Sequence, residues 1–330
     1  MTAPTQTTPR TVLILGAGGR FGRAALAAFH DAGWQVRAFV RPGRALDLPA
    51  GASRVEGDAF DPAAVAAAAR GAAVIVHALN PPYPQWPTDL PKQTASVLAA
   101  AKASGATVMI PGNVYNYGRA MPTRLTEDTP HAPTTRKGAL REEMEDAFRA
   151  AGREGVHTVV LRAGDFIEAA KTGNWFDTYI AARVDRGIAV YPGPRDVVHA
   201  WAWLPDMARA MVGLAERKAQ PAAGFESFNF EGFNLTGEDL IAAMERAAGR
   251  SLKRKRFPWF ALSFVAPFVP LLREVMEMRY LWRVPHGLDG ARLRAALPDF
   301  RPTPLAEALQ EAVPAAARPP ARQPAQSALA

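Results

Sequence analysis

Apolar positions along the first half of the chain alternate between two periodicities. Val12, Leu13, Ile14 and Leu15 form a continuous apolar run of the kind a strand buried on both faces needs. The run breaks into glycines, after which Phe21, Ala24, Ala25, Ala28 and Phe29 recur at helical spacing. The same alternation predicts strands over 34–40, 55–57, 73–79, 107–110 and 157–161. Helices are predicted over 62–70 and 90–104, and along Leu140, Met144, Ala147, Phe148 and Ala151. This strand–helix rhythm predicts an α/β fold, a Rossmann-like doubly wound parallel sheet.

The second half is less regular. Helices are expected over 205–219 and 238–249, with a short strand over 228–230 between them. Segments 165–199 and 235–309 are expected to build a smaller substrate lobe interleaved with the sheet. The expected organisation is a flexible N terminus (1–10), a dinucleotide-binding core (11–164), a mixed region of substrate lobe and remaining core elements (165–313), and a disordered Ala/Pro/Gln-rich tail (314–330).

Composition narrows the chemistry. The 330 residues contain no cysteine, which excludes disulfides, thiol nucleophiles and thiolate metal sites. Scattered histidines without an HExxH-type pattern give a metal centre little support. The first ten residues are too short and polar for a secretory signal, and no apolar run reaches membrane-spanning length, so a cytoplasmic protein is expected. The formal charge is +8, with much of it in RSLKRKR (250–256), directly before FPWFALSFVAPFVPLL. Pro258, Pro267 and Pro270 interrupt that apolar stretch. It reads as a partly buried cover of the substrate lobe or a subunit contact, with contact to an anionic membrane as the other reading. No recognition module accompanies the charge, so nucleic acid is not an expected partner.

The candidate chemistry starts at the first strand's end. Gly16 permits a tight turn, Gly19 a close approach of backbone to a pyrophosphate, and Gly22 close helix–strand packing, while Gly18 also allows a G-x-G reading. Arg20 and Phe21 open the following helix, whose free N–H groups suit phosphates. Beyond the second strand, where an NAD site places an acid, stand Arg37, Arg41 and Arg44, with no acid until Asp47. A guanidinium pairs with the 2′-phosphate of NADP, and Arg41 is the best candidate, with Arg20 able to approach the same phosphate; NADP is therefore favoured, with NAD possible. Asp58 ends the third strand, where it could accept from the adenine amino group, and Asp61 is placed to cap the next helix. His77, Ala78, Leu79 and Asn80 end the fourth strand along the expected cofactor, with His77 a pocket wall rather than a base.

From Thr11 to Leu309 the chain resembles the short-chain dehydrogenase/reductase superfamily, in its NAD(P)-dependent epimerase/dehydratase (extended or atypical) branch. The resemblance is carried by LGAGGRFG, EGDAFD, VIVHALNPP, PGNVYNYG, TTRKG, LRAGDF, WAWLPDMA and FNFEGFNLTGEDL. It implies a tyrosine that exchanges a proton with substrate oxygen, a lysine four residues later that lowers the tyrosine's pKa and binds the nicotinamide ribose, and a serine or threonine that holds the substrate. Lys137 matches the lysine. The tyrosine position is Pro133, and Asn113 takes the hydroxyl's place.

Three readings follow. The first is an NAD(P)H-dependent oxidoreductase acting on a small carbonyl or alcohol, in which Tyr115, Tyr117 or Tyr191 supplies the missing phenol and Asn113 orients the substrate. The second is a nucleotide-sugar epimerase or dehydratase. The third is a non-catalytic NADP(H)-binding sensor. Asp165 and Phe166 are expected near the nicotinamide or substrate mouth, Asp165 as an acid/base or, more plausibly, fixing backbone or a pocket arginine. His199, Trp201 and Trp203 are expected either to line an aromatic cleft or to belong to the core. A monomer or a homodimer fits the resemblance.

Overall fold

The structure, a computed structural model, describes residues 10–217 and 223–313. The expected flexible N terminus and disordered tail, and the last residues of the helix expected over 205–219, lie outside the described residues. In chain order, β1 (Thr11–Leu15) leads into α1 (Arg20–Asp31), followed by β2 (Gln35–Val40), β3 (Ser53–Glu56) and α2 (Pro62–Ala69). Then come β4 (Val74–His77), α3 (Trp86–Ser104), β5 (Thr107–Gly112), β6 (Arg124–Leu125), α4 (Arg136–Ala151) and β7 (His157–Arg162). The second half supplies β8 (Asp165–Ile167), β9 (Ile188–Tyr191), β10 (Val198–Trp203), α5 (Leu204–Glu216), β11 (Gly224–Asn229), β12 (Phe233–Thr236) and α6 (Gly237–Ala248). Last are β13 (Lys253–Arg256), α7 (Trp259–Val265), α8 (Pro270–Glu277), β14 (Gly287–Leu288), α9 (Ala291–Ala296) and α10 (Leu305–Ala312).

Seven parallel strands form the main sheet in the order β11-β7-β5-β4-β1-β2-β3. Chain order reverses between β1 and β4, and that switch point opens the crevice where α/β folds bind nucleotides. β1 is fully buried because both faces are covered. On one face Val12 and Ile14 pack with Phe21, Ala25 and Phe29 of α1 and Met207 and Met211 of α5. On the other, Leu13 and Leu15 pack with Val65, Val97, Met144 and Phe148 of α2, α3 and α4. The fold is thus the Rossmann-like doubly wound sheet the apolar pattern predicts.

Two differences from the pattern have physical causes. α3 starts at Trp86, earlier than expected, although Pro87 and Pro91 lie inside it. Pro87 lies in the first turn, where proline costs nothing, and Trp86 is buried with its indole N–H donating to Pro81 O at 2.9 Å, so packing overrides both the weak local signal and the interior Pro91. The short strand expected near Phe228 is longer and joins the main sheet as β11, with Phe228 opposite Leu161 of β7.

The remaining strands form small sheets, β12-β10-β8, β13-β9 and β14-β6. Their core joins Ile167, Phe176, Trp201, Trp203, Leu240, Met244 and Trp282. β8 follows β7 after only two residues, so the lobe begins directly at the carboxyl end of the sheet.

Candidate active site

The glycine loop is constrained at two positions by backbone contact. Gly16 has φ +78°, and a Cβ there would stand 2.6 Å from Ala78 O. A Cβ on Gly22 would lie 2.1 Å from Gly16 O, so only glycine lets α1 pack this closely on the loop. Gly19 N donates to Gly16 O at 2.9 Å. Gly18 meets only Arg44 Nε, 4.0 Å from a notional Cβ, and is otherwise open. α1 has no side-chain cap and no acid in its first turn, which leaves its N–H groups and positive dipole end for an anion. These observations fit a dinucleotide pyrophosphate. Phe21 is buried in the core, so only its backbone N–H can serve that loop.

The arginines divide by partner. Arg37 donates to Ala68 O and Arg70 O, and so ties down the end of α2. Arg20 is turned to the lobe, with Nε 2.6 Å from Thr172 Oγ1 and 3.1 Å from Glu168. Arg41 and Arg44 are exposed after β2, and Arg44 is the one that leans over Gly18. Asp58 is exposed and accepts from Phe60 N through one carboxylate oxygen, while Asp61 caps α2 by accepting from Ala63 N.

His77 ends β4 buried, with neither ring nitrogen hydrogen-bonded to the protein. Burial first, then the charge of Arg141, lowers its pKa to about 3, so it is neutral and unfit as a base near neutrality. Ala78 lies against Gly16, Leu79 is partly buried, and Asn80 is exposed beyond them.

A polar group gathers beyond β4, β5 and β7. Tyr83 and Tyr115, both half-buried, hold their hydroxyls 2.9 Å apart. Lys137, in the first turn of α4, is buried with Nζ 5.1 Å from the Tyr83 ring centre. Thr135 caps that helix by accepting from Gly138 N, and a Cβ on Gly138 would lie 2.5 Å from Tyr115 O, so a glycine seats α4 against the Tyr115 loop. The Lys137 ammonium also pairs with Glu274 and Glu277 of α8. Asn113 accepts from Tyr115 N at 2.9 Å, so its side-chain oxygen shapes the loop and only its amide N–H₂ is left for a substrate.

Burial raises the pKa of both phenols, but their surroundings differ. For Tyr83 the hydrogen bond from Tyr115 and the positive charges of Arg141 and Arg20 work against that rise, with Asp165 adding to it. For Tyr115 the neighbours Tyr83, Asp165 and Tyr280 all add to it, and the phenol is held well above its ordinary value. Arg141 and Arg20 thus favour the Tyr83 phenolate. Asp165 pairs with His199, Oδ2 to Nε2 at 2.8 Å, and with neither backbone nor a pocket arginine as expected. His199 stacks on Trp282 with ring centres 4.3 Å apart, and Trp201 and Trp203 belong to the lobe core.

The other expected phenols are held differently, though Tyr191 also feels the charge of Asp165. Tyr117 is buried with Val114, Met121 and Leu125 under the Arg162 guanidinium, a packing position that corrects its candidacy as an acid. Tyr191 is buried against Gly237 with its hydroxyl unpartnered, and it borders a separate cavity of about 450 Å³ with Arg195, Asp196, Lys255 and Arg256. The sequence reading missed Tyr83, Glu274 and Glu277. For Tyr83 a signal existed, because NPPYPQW places an aromatic just past the strand that faces the switch point. Among the described residues no group of three or more His, Asp or Glu side chains is placed to hold a metal ion.

Fold and glycine loop together define a nucleotide-binding protein of the Rossmann-like type. Residues 16–184 match the family model described as NAD(P)H-binding, and the chain belongs to that family. No curated protein matches the chain significantly. Several solved structures share the fold over nearly its whole length. A candidate epimerase from Burkholderia cenocepacia J2315 is 21% identical with a TM-score of 0.73, covering 92% of this chain and 97% of its own. UDP-glucose 4-epimerase from Bifidobacterium longum, solved with NAD+ and UDP, is 17% identical with a TM-score of 0.71 over 92% and 97%. A nucleoside-diphosphate-sugar epimerase from Pseudomonas aeruginosa is 18% identical with a TM-score of 0.72 over 92% and 96%.

Proposed function

We propose that the protein is a cytoplasmic NADPH-dependent oxidoreductase, monomeric or homodimeric, that interconverts a small carbonyl compound and its alcohol. The carrying observation is the Tyr83–Tyr115 hydroxyl pair beside buried Lys137, past the carboxyl ends of the central strands. When bound at the glycine loop, a nicotinamide dinucleotide would supply hydride for such a reaction. Tyr83 O–H gives its proton to the carbonyl oxygen, and Tyr115 O–H donates to the phenolate that results. The Lys137 ammonium, close to the Tyr83 ring, favours that phenolate electrostatically. The Asn113 amide N–H₂ orients the substrate oxygen. For turnover α8 must give up its hold on Lys137, since Glu274 and Glu277 neutralise that charge.

The test is NADPH oxidation across a panel of aldehydes, ketones and quinones, run beside a cofactor-binding titration. Tight binding without turnover of any of them would support a non-catalytic sensor instead. NADPH preference rests on Arg41 and Arg44. Arg44→Ala is expected to weaken NADPH binding by about tenfold or more, and Arg41→Ala by a similar factor, with NADH affinity nearly unchanged. Isothermal titration of both nucleotides checks this, and equal losses for the two would remove the 2′-phosphate assignment. A second reading, nucleotide-sugar epimerisation, is favoured by the cavity beside Arg195, Lys255 and Arg256, whose charges suit a diphosphate. Interconversion of UDP-sugars without net NADPH consumption would support it.

A further inference from the structure

The stretch from Arg250 to Arg273 holds six basic residues and no acid. Its apolar part covers the lobe on one side only, through Phe257, Trp259 and Leu262. Phe260, Phe264 and Phe268 are 77%, 63% and 84% exposed, and Leu271 is 51% exposed. Val265 and Val269 are exposed between them. So much exposed aromatic surface on one short hairpin is uncommon for a surface that meets only water. The underside of the hairpin is firmly held. Trp259 is buried among Trp175 and Phe257, and its indole N–H donates to Pro192 O at 2.5 Å. The bare side is therefore a supported surface.

Charge is sorted in the same sense. Glu274 and Glu277, the first acids after the stretch, turn inward to Lys137. Arg254 is taken up by Glu238 and Glu245. Lys253, Lys255 and Arg256 on β13 and Arg273 on α8 are exposed on either side of the aromatic stretch. Among the described residues no Asp or Glu is paired with any of these four.

We propose that the α7–α8 hairpin is a peripheral docking element for an anionic lipid surface. Phe260, Phe264, Phe268 and Leu271 enter the headgroup–acyl boundary, and Lys253, Lys255, Arg256 and Arg273 meet lipid phosphates. Aromatic and aliphatic side chains flanked by unpaired cations are the chemistry such a boundary rewards. No described helix is long and apolar enough to cross a membrane, so the contact is with one leaflet. A second copy of the chain fits less well, because two such hairpins would bring cations against cations with no acid between them. The inference stands apart from the oxidoreductase reading.

Flotation of the full-length protein with vesicles of phosphatidylcholine, with and without phosphatidylglycerol, tests it. The wild type is expected to float with the anionic vesicles and to be released by salt. Phe260→Ser, Phe264→Ser and Phe268→Ser combined are expected to lower partitioning on the order of a hundredfold. Lys253→Glu with Arg273→Glu is expected to lower it about tenfold or more. An unchanged melting temperature and NADPH affinity in both variants would show that the fold is intact. Absence of flotation at low salt, flotation indifferent to phosphatidylglycerol, or full flotation of the triple variant would overturn the proposal. So would a dimer in sedimentation velocity that the triple variant abolishes without any vesicle binding by the wild type.

Discussion

Tyr83→Phe is expected to lower kcat by about 10²–10⁴-fold while leaving NADPH affinity within about twofold. The substitution removes one hydroxyl and keeps the ring under Lys137, so packing against Trp86, 5.1 Å between ring centres, is retained. Tyr115→Phe is expected to cost less in rate and to alter the pH profile. The two hydroxyls share a hydrogen bond, and in the proposed mechanism Tyr115 is its donor, which favours the Tyr83 phenolate and draws its pKa down against burial. Losing that donor raises the Tyr83 pKa, so the alkaline limb of kcat/KM for carbonyl reduction moves to higher pH. Steady-state NADPH oxidation from pH 6 to 10, with a substrate found in the carbonyl panel, measures both effects. Full activity in both variants would remove the phenol pair from the mechanism. Loss in Tyr115→Phe with activity intact in Tyr83→Phe would exchange the two roles.

What the sequence discloses about this site is set by how far apart the cooperating residues lie. The glycine loop is local. A buried strand, three glycines and an amphipathic helix lie within about twenty residues, so the pattern carries both the fold and the nucleotide site. Lys137 was legible because TTRKG resembles the family's lysine segment, and the departure at Pro133 was visible in the same few residues. The phenol near it was not, since Tyr83 reaches Tyr115 only after the β4 loop folds beside the β5 loop. Tyr115 and Tyr117 look alike in sequence. A single turn separates them, yet it sends one to Tyr83 and the other under Arg162. Glu274 and Glu277 were still less accessible, for they reach Lys137 from well over a hundred residues away. For the apolar stretch from Phe257 to Leu272 the sequence leaves a lobe cover, a subunit contact and a membrane contact all open, because periodicity marks apolar residues without saying whether a partner covers them. The structure buries Trp259 and Ala266, packs Phe257 against the lobe core, and leaves Phe260, Phe264 and Phe268 bare.

Glu145→Ala is expected to destabilise the protein by about 3–5 kcal/mol, because it strands the Arg162 guanidinium in the core without a counter-charge. Arg162 and Glu145 are each about 1% exposed and meet through two hydrogen bonds, 2.7 and 3.1 Å long. Burial alone would raise the Glu145 pKa, yet Arg162 outweighs it and holds the carboxyl below its ordinary value. The contribution is therefore complete above the unfolded value of 4.5 and declines as pH falls through the lower folded value. The pair also reaches the candidate site. The same guanidinium donates to Asn113 O at 2.5 Å, and Asn113 in turn accepts from Tyr115 N. Replacing both partners with apolar residues, Glu145→Leu with Arg162→Met, is expected to recover most of the stability, since well-packed apolar pairs often match buried ion pairs. It should not recover activity, because the anchor on the Asn113–Tyr115 loop is gone. Denaturant melts of the single and double variants, read beside their kcat, separate the two roles. A stable double variant with full kcat would show that the ion pair serves the fold alone.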